Sequence, residues 1–270
     1  MEHNSLYDLI QNIEYGTHLH IGVLFFNNFE NEKCFLPHSH RIHCSTVCDE
    51  IKQNKKEYRR CFGCRNLAIK KALSTKAPFG GVCINGVYEY THPVVIDGDV
   101  ACIIYIGNIL DREKGYEKLC EKLGEKISLV STMESDYSPQ QCAAVGSIIE
   151  SYILFLLEKY KYSKKESNPI VENVKNYLET NMEYDVSISH ITKIFHYNPQ
   201  YLGRLFKKEE GISIKEYLLT QRLERAKELL GNCNETVTWI SGKVGFNNVT
   251  YFNRQFKEKF KVTPSQYRKS

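Results

Sequence analysis

The chain has 270 residues, enough for two domains, and its 42% hydrophobic and 12% aromatic content excludes a disordered or fibrous protein. Its purely apolar runs, such as Ile153-Leu154-Phe155-Leu156-Leu157, are far short of the ~20 residues of a membrane span, and Met1-Glu2-His3-Asn4 has no export pattern, so a cytoplasmic protein with no membrane partner is expected. Net charge is +4, with 16 Lys+Arg against 11 Asp+Glu after Asn168 and 20 against 21 before it, so the basic excess lies in the C-terminal part, where it suits phosphate contacts.

Residues 3–14 read as a short helix and His18–Phe26 as a β-rich run. Residues 44–53 and 61–75 have helical composition. Val82–Ile96 is rich in β-branched and aromatic residues and holds an Asn85-Gly86 turn signal. Asp97-Gly98 then separates it from Val100–Ile106, and Asp-Gly between apolar runs signals a hairpin. Residues 111–124 are helical. This mixture predicts an antiparallel sheet flanked by helices, an α+β sensor-like domain over residues 1–162. Ser138 as N-cap and Pro139 at the first position start its last, long helix. The stripe Val145, Ile149, Tyr152 and Leu156 is either domain core or the seam of a homodimer. Lys159–Asn168 is charged and polar and Pro169 interrupts it, which places a linker at 163–169 and a second domain at 170–270.

That second domain contains one segment twice. Tyr201-Leu202-Gly203-Arg204-Leu205-Phe206-Lys207 returns fifty residues on as Tyr251-Phe252-Asn253-Arg254-Gln255-Phe256-Lys257, and Tyr217 and Tyr267 keep the offset. Each copy reads as a helix-turn-helix. An amphipathic helix covers 170–181, and Ser187 caps Ile188–Phe195. The turn His196-Tyr197-Asn198 follows, with Asn198 as cap and Pro199 as first residue of a helix that stops at Gly211. A connecting helix runs Ser213–Leu230 and is ended by Gly231-Asn232. Thr236 caps a helix through Lys243, Gly245-Phe246 makes the turn, and Asn247 caps the second reading helix, Asn248–Phe260.

Helices joined by such turns present the second helix to a major groove. Leu202, Leu205, Phe206, Phe252 and Phe256 are expected inward. Gln200, Tyr201 and Arg204, with Val249, Thr250, Asn253 and Arg254, are the candidate groove contacts; Lys207, Lys208 and Lys257 come where phosphate lies. Double-stranded promoter DNA is the expected partner.

These residues resemble the DNA-binding domain of the AraC/XylS family of transcription regulators. The matching strings are Tyr201-Leu202-x-Arg204-Leu205-Phe206-Lys207-Lys208, Gly211-x-Ser213-x-x-x-Tyr217, Arg222-Leu223-x-x-Ala226-x-x-Leu229-Leu230, Val244-Gly245-Phe246 and Pro264-x-x-Tyr267-Arg268. The resemblance implies seven helices, two helix-turn-helix units on a connecting helix, and two successive major grooves about 34–36 Å apart. It also implies an activator with RNA polymerase as a partner. Gly203 departs from the small polar residue usual there, and Ser241-Gly242 from an Ala-containing stretch.

The string Cys83-Ile84-Asn85-Gly86-Val87-Tyr88-Glu89-Tyr90-x-x-Pro93-Val94-Val95-Ile96-Asp97-Gly98 resembles the PocR-type sensory domain, which implies a PAS-like α/β ligand sensor. Ile84 stands where that family commonly has His. Tyr88, Tyr90, His92 and Tyr105 read either as a small-molecule pocket or as sheet aromatics.

Nine of the ten cysteines precede residue 143. Without an export signal they are not expected to form structural disulfides. Cys44, Cys48, Cys61, Cys64 and Cys83 lie near His38, His40 and His43, and Cys61-x-x-Cys64 has the spacing of a zinc or iron–sulfur ligand pair. Apolar packing, metal binding and a redox switch all remain open for them. The chain is thus read as a regulator under a small-molecule, metal or redox effector and not as an enzyme. The alternative is a DNA-repair protein whose zinc-bound cysteine accepts methyl groups. No Ser-His-Asp set, P-loop or dinucleotide-binding glycine string is present.

Overall fold

A computed structural model of the chain describes residues 5–26, 32–41, 45–134, 137–160, 168–195 and 197–268. The chain divides into two units, one ending at Asn176 and the other starting at Tyr177.

The first unit is built on a four-stranded antiparallel sheet of order β1-β4-β3-β2: β1 is His20–Phe25, β2 Phe79–Val82, β3 Val87–Ile96 and β4 Asp99–Leu110. The turn chemistry is local. Asp97 and Gly98 both have positive φ, 52° and 84°, as a two-residue hairpin between β3 and β4 requires. Gly86, at φ 96°, lets the chain reverse between β2 and β3, and the Cys83 N–H donates to the Val87 carbonyl at 2.7 Å.

Period-two patterning gives each strand two faces. Ile21 pairs Ile106, Val23 pairs Ile104 and Phe25 pairs Cys102, and all six enter one core. Helices α1 (Leu6–Glu14) and α6 (Pro139–Lys159) add to that core through Leu6, Ile10, Ile149, Ile153 and Leu156. Ser5 and Asp8 cap α1 reciprocally, as do Ser138 and Gln141 for α6. By length and composition α6 alone, among the described helices, would suit a membrane span, yet seven of its residues are buried here. Val145, Ile149, Tyr152 and Leu156 all pack in this core, which decides the stripe in favour of core packing; Ile148 and Phe155 lie on the exposed side.

The short α2 (His38–Arg41) follows β1. Across the sheet lie α3 (Thr46–Lys52) and α4 (Lys55–Thr75), and α5 (Tyr116–Leu123) continues into a 3-10 stretch, Gly124–Thr132. Helix α4 starts six residues before the expected 61. Asn54 caps it, accepting from the Lys56 and Glu57 N–H groups, so the charged run from Lys55 to Arg60 forms its first turns.

The second unit is helical. The chain enters it within α7 (Pro169–Thr180) and continues as α8 (Ile188–Phe195), α9 (Pro199–Glu210), α10 (Ile214–Asn232), α11 (Val237–Lys243), α12 (Val249–Phe260) and α13 (Pro264–Tyr267). A sheet-containing N-terminal unit followed by a helical one is the α+β class expected. Several boundaries differ from the reading of the sequence by one or two residues, α7 among them, at Pro169–Thr180 where 170–181 is expected. Helix α10 runs through Gly231 to Asn232, because the cost of one glycine, about 1 kcal/mol, is outweighed by buried Leu230 and by the Cys233 N–H bond to the Leu229 carbonyl. Helix α12 is capped by Asn248, not Asn247, and begins at Val249.

Candidate nucleic-acid interface and sensor groups

The fifty-residue offset of the sequence survives as geometry. Asn198 Oδ1 accepts from the Gln200 and Tyr201 N–H groups, each at 3.0 Å, and Asn248 Oδ1 accepts from Tyr251 N–H at 2.9 Å. Both reading helices end in a left-handed residue, Gly211 at φ 75° and Lys261 at φ 66°. Both are followed by a reciprocally capped helix, Ser213 with Glu216 and Thr263 with Gln266. Phe206 meets Tyr217 edge-on at 5.5 Å, and Phe256 meets Tyr267 edge-on at 6.0 Å. The inner faces of α9 and α12 are therefore fixed by equivalent packing, with Leu202, Phe206, Phe252 and Phe256 fully buried.

The outer faces carry the expected contact residues. Gln200, Tyr201, Arg204, Lys207 and Lys208 are exposed on α9, as are Thr250, Asn253, Arg254 and Lys257 on α12, while Val249 is half-buried. Arg254 sits over the Tyr251 ring at 5.3 Å, which holds its guanidinium near the helix start. On α9 the first turn lines a shallow depression with Asn198, Pro199, Gln200, Tyr201, Gly203 and Arg204.

A Cβ at Gly203 would meet open space. Gly203→Ala is accordingly expected to stabilise the helical unit by about 1 kcal/mol. That corresponds to a rise of roughly 4–8 °C in its melting midpoint. Trp239, the single tryptophan, lies on α11 and reports this unit by fluorescence. An unchanged or lowered midpoint would mean that the glycine serves the packing of α9 after all.

One structural device was not legible in the sequence. Arg222 of α10 donates from Nε to the Met182 carbonyl at 2.8 Å and from an Nη to the Tyr184 carbonyl at 2.7 Å, and it lies 6.0 Å over the Phe246 ring. It joins the segment before α8 to the turn of the second helix-turn-helix.

In the first unit, the four candidate pocket residues separate onto two faces. Tyr88 and Tyr90 pack on the core beneath α6. His92 Nε2–H donates to Glu150 of α6 at 2.8 Å, and Gly146 admits its ring, since a Cβ there would sit 2.8 Å from Nδ1. Tyr105 pairs with Thr91 and so lies on the opposite face, with the Arg65 guanidinium of α4 at 5.8 Å over its ring. The sheet's alternation separates what the sequence had grouped.

Cys44, like His43, lies outside the described residues. Cys48 is buried with Val47, Ile51, Val87 and Leu110, and Cys83 packs against that group. Burial pushes the Cys83 thiol far up, and its neighbours Cys48 and Cys61 add to this. Cys61 is buried and Cys64 half-buried, one turn apart on α4. Among the described residues no three cysteine sulfurs lie within 4.8 Å of one another; the three ligating side chains that do approach so closely are Glu14, His20 and His40.

Cys102 and Cys142 are fully buried; desolvation holds the Cys102 thiol well above its usual range and pushes that of Cys142 up to about 11. At pH 8 only about one Cys142 in a thousand is then thiolate. A short iodoacetamide pulse at pH 8 is expected to spare both residues in the native protein and modify both in urea. Peptide mapping that finds them labelled in the native protein would contradict this burial.

Residues 2–137 match a family described as the sensory domain found in PocR, and residues 191–270 match a helix-turn-helix domain. The regulatory protein PocR of Salmonella typhimurium is 23% identical over 248 residues, covering 82% of this chain and 81% of that protein. The Msm operon regulatory protein of Streptococcus mutans is 31% identical over 125 residues, 46% of this chain and 44% of that protein. Among solved structures, the C-terminal domain of AraT, a response regulator from Geobacillus stearothermophilus, is similar at 31% identity and a TM-score of 0.38, over 39% of this chain and 88% of that one. The sensory-domain match spans the residues on which the methyl-acceptor alternative rested and gives that alternative no support.

Proposed function

We propose, from the premise that this chain belongs to the PocR sensory-domain family and carries an AraC-type helix-turn-helix domain, that it reads promoter DNA with α9 and α12 and answers to an effector held by its sensory domain. The observation that supports this most is the duplicated reading helix: the same cap, the same inner packing and an exposed polar and basic outer face, twice.

The roles follow from side-chain chemistry. Arg204 and Arg254 present forked donors that suit guanine, and Gln200 and Asn253 present the paired donor and acceptor that suit adenine. Tyr201, Val249 and Thr250 add contacts beside them. Lys207, Lys208 and Lys257, in the last turns, meet phosphate and set register. Regulation is by activation, with RNA polymerase as partner, in the cytoplasm, by a chain that pairs as a homodimer. In this reading residues 1–162 are the sensory domain, 163–169 a linker and 170–270 the DNA-binding domain.

The effector is a small organic molecule. The polar side chains buried between the sheet and α4, Arg65, Thr91 and Tyr105, support this, because a few fixed polar groups within apolar walls orient such ligands. An effector switches the protein only by binding one of two states more tightly.

Selection from a random duplex pool by the full chain tests the DNA reading. Enrichment of a site with two conserved blocks about one helical turn apart is expected. Binding that enriches no sequence, or affinity insensitive to salt, would sink it.

A further inference from the structure

Glu14, His20 and His40 meet at the junction of α1, β1 and α2, with their donor atoms all within 4.8 Å of one another. Glu14 is the last residue of α1 and His20 the first of β1, so a five-residue connection brings them together. His40 Nε2 lies 3.0 Å from Glu14 Oε2, and His20 Nδ1 lies 3.5 Å from Glu14 Oε1. The three side chains are largely shielded, at 11%, 16% and 19% exposure for His40, His20 and Glu14.

Ser39 holds the outer nitrogen of both rings. Its carbonyl oxygen lies 3.0 Å from His20 Nε2, and a carbonyl only accepts, so that nitrogen carries a proton. Nδ1 is then the His20 atom turned to the carboxylate. Ser39 Oγ lies 2.9 Å from His40 Nδ1, so the far nitrogen of this ring is also held by a hydrogen bond, and Nε2 faces Glu14. The Ile21 N–H donates to Glu14 Oε1 at 2.6 Å and fixes the carboxylate. Tyr7 closes one side, edge-on to His40 at 5.2 Å.

A bridging proton explains the His40–Glu14 contact. Protons alone explain the His20 contact as well only if that ring is an imidazolium, donating from Nδ1 to Glu14 and from Nε2 to Ser39, whereas an ion needs no such charge on the ring. A cation between the three groups explains both. Imidazoles held on their outer nitrogen by a carbonyl or hydroxyl are the usual outer shell of metal-binding histidines.

We propose that Glu14, His20 and His40 form a binding site for a first-row divalent metal ion, zinc or ferrous iron. Metal–ligand bonds of about 2.0–2.2 Å at tetrahedral angles place donor atoms roughly 3.3 Å apart. The observed separations, 3.0 Å from His40 to Glu14 Oε2 and 3.5 Å from His20 to Glu14 Oε1, lie on either side of that spacing, one at each carboxylate oxygen. Two imidazoles and one carboxylate suit zinc and iron; calcium and magnesium prefer oxygen throughout. Three protein ligands leave a further position for water or for a donor atom of an effector. The ion ties α1, β1 and α2 together, independently of any cysteine and of whether the second unit binds DNA.

Titration of the chelator-treated full chain with Co²⁺, then displacement by Zn²⁺, tests the site. About one ion per chain is expected, with visible cobalt bands and without the near-ultraviolet band of a thiolate ligand. Glu14→Gln and His40→Ala should each weaken binding by more than about 100-fold, Ser39→Ala by about tenfold, and Cys61→Ser not at all. Circular dichroism checks that each variant folds. Should His40→Ala fail to fold, the graded loss in Ser39→Ala still decides. The proposal is overturned by undiminished affinity in the folded variants, by a thiolate band that disappears in Cys61→Ser, or by a folded chain that takes up none of Co²⁺, Zn²⁺ and Fe²⁺.

Discussion

Replacing Gly245 by alanine is expected to destabilise the helical unit strongly and, through it, to weaken DNA binding. Gly245 forms the turn between α11 and α12 at φ 90°, a region where a side chain costs about 1–2 kcal/mol. The local space makes matters worse. A Cβ there would overlap the Met182 carbonyl oxygen and lie 2.9 Å from Nε and from an Nη of Arg222. These are the atoms through which Arg222 ties the segment before α8 to α10, and each such charge-assisted bond contributes about 1.5–3 kcal/mol. The combined loss is roughly 3–5 kcal/mol, against roughly 5–14 kcal/mol for a unit of this size. The urea midpoint followed by Trp239 fluorescence should fall by on the order of 2 M. Gly242→Ala is the control, because Gly242 lies on α11 and a Cβ there meets nothing within 4 Å. Equal midpoints for the two variants would show that the turn tolerates a side chain and that the crowding is relieved elsewhere.

The same turn shows what a sequence discloses. Gly245 was readable as a turn residue, because glycine between two helical patterns supplies positive φ. Its crowding by Met182 was not, since sixty-two intervening residues separate the two. Local chemistry was readable throughout: the Asp97-Gly98 hairpin, the Ser138 and Asn198 caps and the inward faces of α9 and α12. Two adjacent asparagines, Asn247 and Asn248, blur the cap of α12, and the repeat resolves it, since Asn198 plus the fifty-residue offset is Asn248. Long-range groupings were the weak part. Tyr105 appeared to belong with Tyr88 and Tyr90, but pairing with Thr91 turns it to the other face. The cysteines crowd together in the sequence itself, whereas Glu14, His20 and His40 come together only when α1, β1 and α2 fold against each other.

Arg204→Ala and Arg254→Ala are each expected to weaken specific DNA binding by about 1–3 kcal/mol, between several-fold and somewhat over a hundredfold, as the loss of one bidentate base contact does. Both side chains are exposed, so neither change should destabilise the helical unit, followed by Trp239 fluorescence, by more than about 0.5 kcal/mol, the scale of the Arg254–Tyr251 stacking. The equivalent positions of the two arginines in the repeat give the experiment its force. Arg204→Ala should relax base preference in one half of the site only, and Arg254→Ala in the other, about ten base pairs away. The residues share no partner, so the double variant should lose the sum within about 0.3–0.5 kcal/mol. Lys207→Ala should behave differently, weakening all sequences alike and reducing the salt slope by about one. If Arg204→Ala instead reproduces the lysine pattern, it contacts phosphate, and α9 lies in the groove rotated from the face assigned to it. If both arginines affect the same base positions, the two reading helices do not occupy successive grooves, and the duplicated architecture serves one half-site with the other copy as support.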